Sequence, residues 1–383
     1  MREVTFKVLD SLAAIAPAHW DALANANGGN PTLRHAFLQS MIDAGCTTAD
    51  TGWLPQFLTL WREVDSQEKL CGAVPLYLKT HSYGEYVFDW AWAEAYQRHG
   101  LDYYPKLLAA VPFTPCTGAR LMAATSSDRQ IILDGLMRLA QQNDVSSLHV
   151  LFPDDTELDM LAGAGMMART SIQFHWRNNG YRHFNDFLAT MNHDKRKKLK
   201  QERRKIAEVG ITFRRMVGTD ITASDWDFFA RCYGRTYREH LSTPYLNRKF
   251  FGLIGERMPE NILLIVAERE GKPISSALNL WDAKTLYGRY WGSTEFHSGL
   301  HFETCYYQAL EFCIERGVQV FEGGAQGQHK LARGFLPEKC HSAHWLKEPR
   351  FARAVEEFLA RESGGIERHV NELEGSSPYK DPT

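Results

Sequence analysis

The sequence predicts two fused mixed α/β domains of one kind, and three observations carry this. The chain has 383 residues, more than one ordinary core holds. Its composition, 44% hydrophobic and 23% charged, is that of a globular protein and not of a disordered one. Finally, one order of elements (two helices, three strands, a helix, two further elements of a sheet) is legible twice along the chain.

In the first half a helix forms around Trp20 and a second over 33–44. Strands follow at 57–61 and 70–78, joined by a polar turn at 65–68. A strand at 107–113 leads to an amphipathic helix over 128–142 and a short apolar strand at 147–152. Asp154 and Asp155 then open another helix, where carboxylates meet the positive end of the helix dipole. The second half repeats the order. Helices form around Trp226 and over 245–257, and strands at 262–267 and 273–281 flank the turn 269–272. A third strand covers 285–291, a helix 302–316, and short strands 318–321 and 344–346. The polar turn 177–180 places the junction near Tyr181. This gives one domain over 1–180 with an aromatic insertion near 83–105, and a second over 181–360 that opens with a basic helix. A helix end and a disordered tail occupy 361–383.

Composition narrows the function. No run reaches the roughly 18–20 apolar residues of a membrane span, and Met1 to Phe6 does not read as a signal peptide. The seven cysteines form no C-x-x-C pair, which argues against a disulfide framework or a zinc knuckle and for a reducing cytoplasm. Lysine and arginine number 44 against 46 acids, so the chain as a whole has no bias towards polyanions. The exception is 195–205, where eight of eleven residues are basic.

Five stretches carry a resemblance: 30–38 (NPTLRHAFL), 75–90 (PLYLKTHSYGEYVFDW), 111–115 (VPFTP), 301–307 (HFETCYY) and 321–335 (FEGGAQGQHKLARGF). They resemble the FemAB-like predicted N-acyltransferases of the GNAT superfamily, a family labelled as peptidoglycan biosynthesis or recognition proteins. The resemblance implies a tandem duplication of GNAT-like domains with Fem-type architecture in a cytoplasmic bacterial N-acyltransferase. It implies no tightly bound cofactor; an acyl-CoA or an aminoacyl-tRNA is the co-substrate, and a cell-wall precursor or small amine the acceptor. An acetyl-CoA domain usually carries a Q/R-x-x-G-x-G/A loop at a helix N-terminus. The corresponding stretches here, 293–301 with one glycine and 114–120 with a partial match, leave both donors open. Peripheral contact with a membrane and contact with tRNA are both compatible with this reading.

In a GNAT-like domain the acyl group sits where two parallel strands part. Mapped here, one strand ends at Tyr290, Trp291 and Gly292, and the other at Phe321, Glu322, Gly323 and Gly324. The glycines are expected to bare backbone N–H groups for a carbonyl oxygen, and Glu322, Glu303 or His301 to take the proton of an attacking amine. Glu303 in a first helical turn is equally a neighbour of the helix dipole, and Gly323-Gly324 equally a plain turn. Gln326, His329, Lys330 and Arg333 follow directly, a set suited to a phosphate or carboxylate or else to ion pairing with Glu338 or Glu322. In the first half Lys79, His81, Tyr83, Asp89 and Trp90 are expected to form a lid or an aromatic and polar wall for the acceptor, or else to fill core. His297, His301, Glu303, His341 and His344 raise the question of a metal, but their spacing does not assure convergence and none is expected. Lys197, Lys198 and Arg204 are candidate RNA contacts, a membrane-facing set or a solvated helical face. A non-catalytic recognition protein binding a cell-wall precursor or RNA in the same cleft is the alternative from another class.

Overall fold

A computed structural model describes residues 4–324 and 327–380. The chain divides into two compact units. Unit 1 comprises residues 1–171 and 339–368, and unit 2 comprises 172–338 and 369–383. The expected junction near Tyr181 therefore moves to 171/172, and each unit also recruits a late segment. The physical reason in unit 1 is strand pairing across a long separation: Ser342 to Leu346 form an antiparallel ladder with Leu151 to Ser147. No local periodicity announces such a pairing. The polar turn 177–180 closes a strand inside unit 2 and is not a boundary.

In unit 1 an antiparallel set runs Val4–Leu9, Phe57–Val64, Gln67–Val74 and Met122–Ala123. A second set runs Trp53–Pro55, Leu76–Lys79, Lys106–Ala109 and Ser147–Leu151, with the last two parallel. The helix Ser126–Gln142 starts where Thr125 accepts from Asp128 N, an N-cap. It lays Ile132, Leu133, Leu136 and Ala140 on a core of Leu58, Leu76, Leu107, Leu148 and Val150. Asp154 caps the helix Asp155–Gly163, as its carboxylate predicts. The insertion near 83–105 contains the helix Trp90–Arg98.

Unit 2 repeats the plan. Ile211–Val217, Ile262–Arg269, Lys272–Trp281 and Thr285–Ser293 are successively antiparallel. Val320–Glu322 then pairs parallel to Thr285–Ser293 and antiparallel to His175 through Arg177. Each unit thus contains one parallel pair in an otherwise antiparallel arrangement, which is the structural content of the duplication. The core joins Trp176, Phe187, Leu286, Tyr307, Leu310, Phe321 and Phe335.

Two expectations need correction. The tail to Lys380 is not disordered, because the Tyr379 hydroxyl donates to Gly334 O at 2.6 Å and Lys380 N to Thr190 O at 2.9 Å. Gly292 serves packing: a Cβ there would lie 2.2 Å from Cys232 O, so the helix Ala223–Glu239 rests directly on the strand backbone. Gly292→Ala must push that helix outwards. We expect a loss of about 1–3 kcal/mol of stability, read as a lowered midpoint in denaturant unfolding.

Candidate active site

In unit 2, Thr285–Ser293 and Val320–Glu322 stay paired for three residues only, ending at Tyr287 with Glu322. Beyond that point the second strand turns away through Gly323 and Gly324, the latter at φ 79°, a backbone glycine adopts without strain. The first strand keeps its antiparallel neighbour, but the register slips. Tyr290 faces Leu278 and Gly288 faces Asn279, leaving Arg289 as the extra residue of a β-bulge. A cavity of about 90 Å³ opens between the parting strands, walled by Tyr290, Trp291 and Gly323 and by His301, Cys305 and Tyr306 of the next helix.

That helix runs in three parts, Leu300–Phe302, a π-helical turn Glu303–Tyr307, and Gln308–Arg316. A π turn adds one residue to the helical ladder and rotates the faces on either side of it. Here Cys305 and Tyr306 meet the slot, while Glu303 and Tyr307 bond to the helix His193–Glu208 through Arg203 and Glu202.

Burial lowers the His301 imidazole to about 4, helped by neighbouring His329, Arg333 and Lys330, which oppose a positive charge there. It is neutral at physiological pH and can accept a proton. Its ring lies 4.5 Å from Trp291 and 5.5 Å from Tyr306. The Tyr306 hydroxyl is 3.2 Å from Nε2 of exposed His329. Lys330 is buried, which lowers its ammonium to about 8, and it donates to Gly324 O at 2.9 Å.

The sequence-predicted residues divide accordingly. Tyr290, Trp291, Gly323 and His301 line the slot, with His329 and Lys330 beside it. Glu322 does not line it: strand alternation turns its side chain to the opposite face, in register with Tyr287 and His175. Glu303 is committed elsewhere, since Arg203 Nη2 donates to it at 2.9 Å and Gln308 Nε2 at 2.8 Å. Arg333 does form an ion pair, but with Glu202 at 2.9 Å and not with Glu338 or Glu322, and its guanidinium stacks 3.2 Å from the Phe302 ring centroid. Gln326 lies outside the described residues. Lys197 and Lys198 are exposed, and Arg204 pairs with Glu208 at 2.7 Å. Sequence reasoning missed Arg289, Cys305 and Tyr306 as slot residues. The HFETCYY stretch contained two of them, but their direction depends on the π turn.

In unit 1 the place beyond the parallel pair is filled. Arg120, wholly buried, donates to Leu151 O at 2.8 Å, Cys116 O at 2.7 Å and Gly118 O at 2.9 Å. Of the residues predicted for the acceptor wall, Lys79 and Asp89 are buried, His81 is half-buried, and Tyr83 and Trp90 are exposed. Lys106 Nζ bonds Glu85 at 2.8 Å and also Asp89. Burial alone would raise the Asp89 carboxyl, but Lys106 holds it well below the usual range. Burial lowers Lys79 to about 7 and raises Glu85 to about 7, and Lys79 Nζ sits 3.8 Å from the Trp53 ring centroid. His81 Nε2 is 3.0 Å from Thr51 O, and the exposed rings of Tyr83 and Trp90 meet edge-on at 4.9 Å. His344 is buried in the same unit, its Nδ1 2.6 Å from Nδ1 of His149. Among the described residues no three His, Cys, Asp or Glu side chains converge as a metal site.

Burial lowers His344 from 6.5 to about 3. Its neutral form is therefore favoured by folding, and the stability it contributes is complete above about pH 6.5 and drains away as pH falls towards 3. Replacing His344 with Gln is expected to flatten the fall of unfolding free energy between pH 6.5 and 4. Equal slopes in urea titrations of both proteins would contradict this.

Comparison with known proteins agrees with the geometry. Solved structures of similar fold include FemX (11% identity, 88% of this chain and 98% of that one, TM-score 0.56). A conserved protein of unknown function from Bacteroides thetaiotaomicron matches at 10% identity, 89% and 99% coverage and TM-score 0.53. The L-PGS structure from Bacillus licheniformis matches at 9% identity, 94% and 99% coverage and TM-score 0.51. A search of curated proteins gave no match. The architecture is Fem-type, a fold shared with FemX over nearly all of that chain. With the FemAB-like profile, described as peptidoglycan biosynthesis/recognition, matching residues 11–381, the chain belongs to the FemAB-like family.

Proposed function

We propose that unit 2 transfers an acyl or aminoacyl group from an activated donor to a substrate amine by direct attack. The observation that carries this is the early end of the parallel ladder at Tyr287 and Glu322. From Gly288 onward no described residue pairs parallel to the strand, so its backbone edge is turned to a slot large enough for a planar acyl carbonyl. In this reading the amine nitrogen bonds to the carbonyl carbon, the carrier leaves with its bonding electrons, and neutral His301 takes the amine proton for return to the leaving group. The rings of Trp291 and Tyr306 pack against the imidazole and keep water from it. The transfer is assigned to unit 2 because Arg120 fills the counterpart in unit 1. The family's peptidoglycan label supports a cell-wall precursor as acceptor.

One observation favours an aminoacyl-tRNA over an acyl-CoA. The basic helix His193–Glu208 is fastened to the slot helix by Arg203 with Glu303 and Glu311. It buries Leu199 and Ile206, which leaves Lys197, Lys198 and Lys200 in solvent beside the helix that walls the slot. A charged row that close to the reacting carbonyl suits a phosphodiester carrier.

Transfer assays with CoA thioesters and charged tRNAs test both statements. His301→Ala is expected to lower kcat about 10²–10⁴-fold while leaving donor KM nearly unchanged. An unaltered kcat would remove His301 from the chemistry. Changing Lys197, Lys198 and Arg204 to Glu is expected to weaken tRNA-dependent transfer at least about tenfold and to reduce its salt dependence. Transfer from CoA that survives the triple change, with none from tRNA in the parent, would assign the donor to CoA.

A further inference from the structure

Two large apolar side chains of unit 2 stand almost wholly in solvent, Leu241 at 98% and Phe296 at 93% exposure. Isolated exposed apolar residues are ordinary; these two share an edge, and each is held there at a cost. Leu241 follows the helix Ala223–Glu239 in the left-handed region, at φ 52°. Leu241 N donates to Arg238 O at 3.0 Å and Ser242 N to Tyr237 O at 2.9 Å, the helix-ending arrangement that strongly prefers glycine. A branched side chain is therefore unfavourable here by conformation and again by hydration. Phe296 crowns the loop that leaves the slot strand, and that loop is rigid. Arg235 Nη1 donates to Thr294 O at 2.7 Å and Thr294 N to Ile274 O at 2.7 Å. Glu295 meets His297 at 2.9 Å and Arg269 at 3.2 Å. The bond from Arg235 also brings the end of the Leu241 helix against the base of the Phe296 loop.

We propose that this edge of unit 2 is a membrane-docking surface, with Leu241 and Phe296 inserting among the acyl chains of an anionic bilayer. The surroundings identify the occupant. The neighbours of each tip along the chain are polar, with Glu239, His240, Ser242 and Ser298 exposed, so a partner protein would find no apolar core to bury. A bilayer needs none: it takes separate apolar tips into its boundary and meets the surrounding cations with its headgroups. Arg231, Arg238 and Lys272 are exposed around the tips, and Arg235 is exposed but paired with Glu239 at 2.7 Å; against a net charge of −2 for the chain as a whole, these side chains leave an excess of positive charge where lipid phosphates would lie. The proposal stands independently of the transfer chemistry, because it concerns binding and uses no slot residue.

The test is co-sedimentation of the full chain with vesicles of phosphatidylcholine alone and with about one quarter phosphatidylglycerol, in 0.1 M salt, where charge screening operates over about 10 Å. Binding is expected to the anionic vesicles, to weaken at 0.5 M salt, and to fall at least about tenfold in the Leu241→Ser, Phe296→Ser double variant. Leu241→Gly separates this from a folding defect, because it should raise the thermal midpoint by relieving the backbone while weakening vesicle binding. Failure of the parent to sediment with anionic vesicles would overturn the proposal. So would equal binding by the double variant, or loss in that variant of a dimer seen by sedimentation velocity.

Discussion

The structure of unit 2 depends on where one parallel ladder stops. A strand inside a sheet satisfies its backbone groups on both edges, so ending the pairing at Tyr287 and Glu322 leaves an edge that must meet something else. Several residues act together to enforce the stop. Gly323 and Gly324 let the second strand leave, with Gly323 so close to Phe174 O that a Cβ would lie 3.1 Å away. Gly288 gives room to the Phe321 ring, 3.0 Å from its notional Cβ. The bulge at Arg289 then bends the first strand in the other direction. These are backbone constraints, and they produce the slot before any functional side chain is considered.

The two units show how one plan gives different outcomes. Both contain the parallel pair, but in unit 1 the guanidinium of Arg120 bonds Leu151 O at the end of one of its strands and ties it to the loop carbonyls of Cys116 and Gly118. Its neighbour Glu157 accepts from Arg120 N and Leu121 N at 2.7 and 2.8 Å, and burial raises that carboxyl to about 7. Removing an arginine from water is costly unless its donors are met, so this plug is a closed structural element. The polar layer of Lys106, Glu85 and Asp89 follows the same rule.

Much of this was legible in the sequence and some was not, for definable reasons. The strands of unit 2 announce themselves by β-branched and aromatic runs, and the parallel ladder ends one residue before the double-glycine stretch, at Glu322, but at Tyr287 on the other strand and not at Tyr290–Gly292. Direction was less visible. Strand alternation alone would have turned Glu322 away from the slot had the register with Tyr287 been known, and register is a long-range property. The candidate base Glu303 was misplaced because a π turn has no compositional signature. Ion pairs between residues about a hundred positions apart, such as Arg203 with Glu303 and Arg333 with Glu202, are equally silent in one sequence. The split of the late chain between the units depends likewise on pairing over nearly two hundred residues.

The basic helix His193–Glu208 shows why composition alone could not assign its charges. Leu199 and Ile206 anchor it, and Arg203 reaches inwards to two carboxylates of the slot helix. Glu202, on the adjoining face, holds both Arg333 and the Tyr307 hydroxyl. One helix therefore fixes the helix that carries His301 and the segment that carries Lys330, while its remaining lysines stay in water. Its inward bonds span the π turn, from Glu303 at one end to Tyr307 at the other. A polyanion drawing on the outer face would act on a rigid body whose buried side grips the slot wall. Arg203 and Glu202 thus join the exposed basic face mechanically to the slot wall, with no moving loop required.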